Sequence, residues 1–428
     1  MIQKHKQLST ILICFYLFTS IGAEAQNVLQ ISLDSCIKMA EGNYPLQTHA
    51  QNVQLISNNT IKQINAEYLP QLNFASKATY QSEVSEIEIP GFPLMSIPKD
   101  NYSFGLELNQ IICDFGQIAQ KKAVQRSQAI SDIQKNKAEL YVIRPVIVGM
   151  YSNILLTKKN IKILESYIES IQNQYKDMQS AVTNGMVLQS NLDILFAEIQ
   201  KTRQRLIEAR YALQTQVQTL ALYTQAAIDT ATVLEPINRS RLYLDNDSVA
   251  RPELLVFGTQ LDLLDEKIKL EKRKNMPHLY LYGEGAYGRP GYNFLDHDMR
   301  LFGIAGVGLR WNMNGMYTHS LSGNSLKINK NMMAEQKSLF QLHQNEALIK
   351  QHNEIEKLAQ LIETDKAILE KRANIANTAA DQLENGIITS TDFLTQLYAQ
   401  KQAELSQQLH EIQLQMAVIN YNITEGTN

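Results

Sequence analysis

The sequence predicts a mostly helical fold with a few β-strands that are candidates for transmembrane strands of an outer-membrane barrel. Long antiparallel coiled-coil helices would line a ring, or α-barrel, and each chain would add four short strands. Three observations predict this. A hairpin tip occurs twice, as Thr183-Asn184-Gly185-Met186-Val187-Leu188-Gln189-Ser190-Asn191-Leu192-Asp193 and as Glu384-Asn385-Gly386-Ile387-Ile388-Thr389-Ser390-Thr391-Asp392. Each copy follows one long polar stretch of helical period and opens another, so the chain is a duplicated unit much longer than a solenoid repeat. Segments that alternate apolar and polar residues stand at matched places in both halves. The chain also opens on a secretory leader.

The leader comprises Lys4 and Lys6, an apolar run from Ile11 to Ile21, and the small-residue site Ala23-Glu24-Ala25. A basic head, a short apolar stretch and an Ala-x-Ala site place cleavage after Ala25, with the mature chain starting near Gln26. The run is shorter than the ~20 residues of a spanning helix. Cys14 leaves with the leader, and no cysteine sits at the cleavage site for lipid attachment.

The first half begins with a helix over Leu33 to Tyr68, which stops at Leu69-Pro70-Gln71-Leu72 because proline cannot continue it. Leu72 to Gln81 reads as a strand, followed by a loop with Pro90, Gly91, Pro93 and Pro98. Tyr102, Phe104, Leu106 and Leu108 then alternate with Ser103, Gly105, Glu107 and Asn109, a strand with one apolar and one polar face. Asp114 ends that strand and can cap a helix from Phe115, with Gln117 placed to reach back. That helix is expected to run to Thr183, roughly 100 Å at 1.5 Å per residue, with a kink at Pro145. Its seam is Ile147, Met150, Ile154, Thr157, Ile161, Leu164, Ile168, Ile171, Tyr175, Met178 and Val182. Beyond the tip, Leu192, Leu195, Ile199, Thr202, Leu206, Ala209, Leu213, Gln216 and Leu220 keep the rhythm, so the two helices should zip as an antiparallel pair.

Between Ala226 and Arg251 the period breaks around Pro236, Asp245 and Asp247, which makes 226–251 the link between repeats 26–225 and 252–428. The second repeat has a helix over Pro252 to Lys274, a stop at Met276-Pro277-His278-Leu279, and a strand over Leu279 to Tyr287. A Gly-Pro loop and a strand over Leu301 to Trp311 follow, and Asn314-Gly315 stands where Asp114-Phe115-Gly116 stood. The long helix to Leu383 shows two stripes, one of Leu348, Ile355, Leu358, Ile362 and Leu369 and one of Leu361, Ile368 and Ile375. Two stripes call for neighbours on both sides, as in a closed ring of helices. The last helix carries Leu405, Leu409, Ile412, Met416, Ile419 and Ile423. Four strands cannot close a barrel, and lipid forbids an open sheet edge. If the strands span a membrane, several chains must pool them, and a homotrimer would give twelve.

Composition removes other classes. A net charge of -3 with nearly balanced signs is no nucleic-acid footprint. Cys36 and Cys113 make neither a disulfide framework nor a metal site, and each lies beside apolar residues as a small buried hydrophobe would. The histidines His49, His278, His297, His319, His343, His352 and His410 show no metal-ligand spacing, and no serine sits in a nucleophile elbow. Asp296-His297-Asp298 lies in a Gly-Pro loop and reads as a solvated tip before a metal site.

Over the mature chain, the duplicated order of elements, the Leu-Pro-Gln-Leu and Met-Pro-His-Leu junctions, the Asp114-Phe115-Gly116 junction and the two tips resemble the TolC family of outer-membrane efflux channels. The resemblance implies a homotrimer with a twelve-stranded outer-membrane β-barrel and a periplasm-spanning α-barrel. It also implies a periplasmic adaptor, or membrane fusion protein, and an inner-membrane transporter as partners, outer-membrane lipid around the barrel, and no cofactor or metal. The linker 226–251 would be equatorial. The tips would be the gate, with Asp193 and Asp392 at the constriction and Asn191 and Thr395 as neutral lining. Asn184, Gly185, Ser190, Asn385, Gly386 and Thr391 would form the tip turns and meet the adaptor. Pro70, Asp114, Gly116, Pro277, Asn314 and Gly315 would form the strand-helix junctions.

Asp193 and Asp392 are also accounted for as first-turn acids that favour a helix dipole, and this is compatible with lining a gate. Tyr175, Lys176 and Gln179 are candidates for closing contacts. The reading predicts a conduit with no bond chemistry, whose substrate the sequence does not name. Its rival is a soluble periplasmic coiled-coil structural or adhesin-like protein, which explains the helices but not four alternating segments at matched positions.

Overall fold

The computed structural model describes residues 30–426 except 85, 88–94, 97, 237–250, 294–295 and 314, with backbone alone at 86–87 and 95–96. The leader, most of the inter-repeat link, Asn314, and Pro90, Gly91 and Pro93 lie outside the described residues. In order, the elements are β1 (Gln30–Ile31), α1 (Leu33–Asn43), α2 (His49–Ala66), β2 (Gln71–Tyr80), β3 (Glu86–Ile87), β4 (Met95–Ser96), β5 (Asp100–Cys113), α3 (Gln117–Tyr141), α4 (Ile143–Thr183) and α5 (Gln189–Thr224). They continue with β6 (Val233–Leu234), α6 (Pro252–Lys274), β7 (His278–Arg289), β8 (Arg300–Arg310), α7 (Gly315–Glu384) and α8 (Ser390–Glu425).

Two helices expected as continuous are broken. The first divides into α1 and α2 at Tyr44-Pro45, where proline removes a donor and bars the preceding residue from helical geometry. The rod expected from Phe115 to Thr183 divides into α3 and α4 at Val142. Pro145 cannot donate to the carbonyl of Tyr141, so the ladder fails one turn before the proline. Helix α7, by contrast, runs unbroken for 70 residues.

The chain falls into two compact units, and each takes pieces of both halves. One contains β1, α1, α4, α5, β6 and residues 353–420 of α7 and α8. Its core is the seam between α4 and α5, where Ile147, Ile154, Ile168, Ile171 and Met178 are buried along with Leu192, Leu195, Ile199, Thr202, Leu206, Ala209, Leu213 and Leu220. The seam takes Val217 at the position expected for Gln216. β1 and β6 pair in parallel, and the Tyr151 hydroxyl lies within hydrogen-bond distance of the carbonyls of Ile31 (2.9 Å) and Glu235 (2.7 Å), which staples the two strands to α4. The second α7 stripe, Leu361, Ile368 and Ile375, is exposed, as a face awaiting a neighbour would be.

The other unit contains α2, α3, α6, the strands β2 to β5, β7 and β8, the first part of α7 and the end of α8. Its four-stranded antiparallel sheet runs β2-β5-β7-β8, so the two repeats join at β5 and β7, and β2 and β8 are the edges. β3 and β4 form a separate short pair. The register gives the sheet two unlike faces. One carries Leu72, Phe74, Phe104, Leu106, Leu108, Leu281, Tyr287, Leu301, Val307 and Leu309, and on it Phe74 is 71% and Leu301 82% exposed. The opposite face carries Asn73, Glu107, Glu284, Tyr280 and Tyr282. There the side chains of Tyr280 and Tyr282 lie over their cross-strand partners Gly308 and Gly306, where a Cβ would come within 2.5 Å of the Tyr280 ring and 2.6 Å of the Tyr282 hydroxyl.

Candidate functional site

The tips are built alike. Gly185 (φ 73) donates to Val182 O at 2.9 Å and Met186 N to Ala181 O at 2.9 Å; Gly386 (φ 71) donates to Leu383 O at 3.0 Å and Ile387 N to Gln382 O at 2.8 Å. This paired closure ends a helix in the left-handed region and satisfies its last carbonyls. A Cβ at either glycine would meet nothing within 4 Å, so backbone conformation, not space, calls for glycine. Asn184 and Asn385 continue the ladders to Ser180 O and Asp381 O, and the Asn385 side chain also donates to Asp381 O at 2.8 Å.

The helices that follow are capped differently. Asp392 accepts from the Thr389 amide (3.1 Å) and hydroxyl (2.7 Å), while its own amide donates to Thr389 Oγ1 at 3.2 Å, a reciprocal cap. The Thr389 hydroxyl and then its amide hold the Asp392 carboxyl below its ordinary range. At the first tip Leu188 holds the capping position and makes no side-chain bond. Asp193 accepts instead from Gln189 Nε2 at 3.0 Å. Counted from the left-handed glycine, Asp392 stands at the step that Asn191 holds in the first tip, so Asp193 and Asp392 are not matched positions.

The structure brings the two tips together. Ser390 N donates to Asn191 Oδ1 at 3.5 Å, and the buried Ser390 hydroxyl reaches Met178 Sδ at 3.5 Å. Beneath them Met178, Leu192, Leu195, Ala379, Leu383, Phe393 and Leu397 form one apolar cluster. Asn191 is half-buried between the tips, and Thr395 donates back to Thr391 O at 2.8 Å within its own helix. Ser190, Thr391, Asp193 and Asp392 are exposed. Of the closing candidates, Tyr175 packs on Phe196 with ring centroids 6.4 Å apart, while Lys176 and Gln179 face solvent.

The first strand-helix junction centres on Asp114, 5% exposed. It accepts from Tyr68 OH (2.6 Å), Gly116 N (3.0 Å) and Ile118 N, and α3 starts at Gln117, two residues later than expected, with the Gln117 backbone N–H donating to the Asp114 carbonyl at 3.2 Å. Burial alone raises the carboxyl; the bonds from Tyr68, Ile118 and Gly116 outweigh it and hold Asp114 below its ordinary range. Arg273 Nη1 donates to Phe115 O at 2.8 Å and lies where a side chain on Gly116 would go. Pro70 and Pro277 each stand in the step from helix to strand. Gly315 opens α7 against His319, whose Nδ1 pairs with Glu271 at 2.9 Å.

Sequence reasoning missed Tyr68, in the turn that follows α2, and Arg273, in the last turn of α6, which reach Asp114-Phe115-Gly116 from distant parts of the chain. It also missed the pair of His410 Nδ1 and Asp365 Oδ2 at 2.6 Å, although an acid interrupting the Leu358, Ile362, Leu369 stripe was a signal. Asp296 and Asp298 pair with Arg300 at 2.9 and 3.7 Å.

Residues 38–224 match the family described as outer membrane efflux protein. The outer-membrane channel OprN aligns with 92% of this chain and 90% of its own at 13% identity and TM-score 0.68. VceC, an outer membrane protein of Vibrio cholerae, aligns with 92% of this chain and 96% of its own at 14% identity and TM-score 0.67. The open state of the MtrE outer membrane channel of Neisseria gonorrhoeae aligns with 92% and 89% at 12% identity and TM-score 0.60. No curated protein matches the chain in sequence. The likenesses give the chain the fold of these channels, mostly helical with a small antiparallel sheet, and the TolC-family resemblance stands.

Proposed function

We infer that this chain is one protomer of an outer-membrane efflux channel: three copies pool their sheets into a twelve-stranded barrel and their helices into a periplasmic duct. The observation that carries this is the sheet, with an exposed apolar face, a polar opposite face and two free edges. In water such a face and such edges are a liability; in lipid, with edge joined to edge, both are satisfied. The coiled-coil alternative leaves that face unexplained. Helix α7 alone reaches roughly 105 Å at 1.5 Å per residue, enough for a solute to cross the periplasm without meeting lipid.

The repeats 26–225 and 252–428 would each supply two strands and one tip, with 226–251 linking them. The exposed tips would meet an adaptor and, through it, an inner-membrane pump, in a tripartite efflux or type I secretion system. Asp193, free of the cap that engages Asp392, is the better placed acid to line a gate, where three copies would favour cations. Opening would separate the tips at Asn191 and Ser390, two-state packing biased by the adaptor. A heat-modifiable trimer extracted by detergent from the outer-membrane fraction supports this, and recovery as a soluble monomer overturns it. Cysteines at Ser190 or Thr391, with Cys36 and Cys113 replaced, should crosslink to an adaptor in cells.

A further inference from the structure

After β7 the chain does not at once leave the sheet. Tyr292 folds back along β7, and its hydroxyl donates to Glu284 Oε2 at 3.2 Å. Its ring meets Phe302 edge-on, with centroids 5.1 Å apart. Glu284 and Phe302 both stand on the polar face, in adjacent rows with Glu107 and with Gly105 and Ala286. That face is cleared beneath the fold-back: Ala286 is 3% exposed, and a Cβ at Gly105 would lie 2.6 Å from that of Ala286. On the returning limb, Arg300 clips Asp296 and Asp298.

We propose that Tyr292, held by Glu284 and Phe302, is a strap across the outer mouth of the barrel that sets the largest solute able to pass. This rests on the inference that the polar face lines the lumen. Three straps, one per protomer, would put an aromatic collar in the mouth, and its anchors lie on the wall where a passing solute must go. A hydrogen bond and a ring pair are weak enough to part for bulky cargo and re-form behind it.

The test uses the full-length protein in intact cells, with Cys36 and Cys113 replaced, and membrane-impermeant maleimides of increasing size added from outside. Asp298→Cys, on the loop, should react with every reagent; if it reacts with none, outer-surface placement fails and the function proposed above falls with it. Tyr282→Cys stands on the same face two residues deeper than Glu284 and should react with the small maleimide but slowly with a polyethylene glycol conjugate. Adding Tyr292→Ala should raise the rate with the large reagent about tenfold, and Tyr292→Phe, which keeps the ring pair, by less. If the large reagent reaches Tyr282→Cys equally fast with and without Tyr292 while Asp298→Cys is labelled, the strap is overturned and the channel is not.

Discussion

Asp114 shows how one side chain fixes a junction. Three donors converge on its carboxylate and define where the strand stops and α3 begins. Asp114→Asn should cost about 1–3 kcal/mol, seen as a lower temperature for trimer dissociation on gels. Because the folded carboxyl titrates below its ordinary range, its contribution is complete above the ordinary carboxylate range and fades as pH falls through the lowered value. The gap between the native protein and the variant should therefore narrow in acid; a gap independent of pH would contradict the assignment. On the proposed reading the two acids of the tips would divide their labour, Asp193 lining the gate and Asp392 capping its helix. Asp193→Asn should reduce the cation preference of the closed pore, read as a shift in reversal potential across a planar bilayer. Asp392→Asn should act mainly on the helix start, and equal electrical effects would refute the division.

At the scale of elements, the α4–α5 pair tests the choice between adjacent residues. Val217→Ala should destabilise the pair by on the order of 2 kcal/mol and Gln216→Ala by little, measured by hydrogen exchange along α5. The three-four rhythm had reached Gln216, but a real helix drifts against a strict heptad, and the next residue turned inward. Element type and order were legible because apolar period and proline position are local signals: α6 has the expected bounds, and the four strands of the sheet fall within two residues of theirs, while the two-residue strands β1, β3, β4 and β6 carry no period and were not expected. The breaks at Tyr44 and Val142 were legible only as punctuation, since a proline marks an interruption without saying whether the helix bends or ends. At the site, glycine and asparagine disclosed the turns. The partners of Asp114, the pairing of Asn191 with Ser390 and the fold-back of Tyr292 depend on residues brought together by tertiary structure, and no periodicity encodes them.

For the whole molecule, the sheet makes the sharpest prediction, because in the proposed barrel neighbours on one strand would face opposite solvents. Phe74→Lys puts a charge on the apolar face at about 2–4 kcal/mol per copy and should abolish detergent-resistant trimer, while Asn73→Lys beside it should assemble. Equal assembly of the two would exclude a lipid-facing sheet. In the proposed ring, the outer edges of β2 and β8 also have a genetic consequence. A chain spoiled along one border keeps the other intact, so it can still dock on a healthy sister and leave the ring unsealed. With equal expression of damaged and healthy alleles and random mixing, only about an eighth of threefold rings would be wholly sound. A lesion confined to one border should thus behave as a dominant poison, whereas a deletion of the gene would be silent beside a working copy.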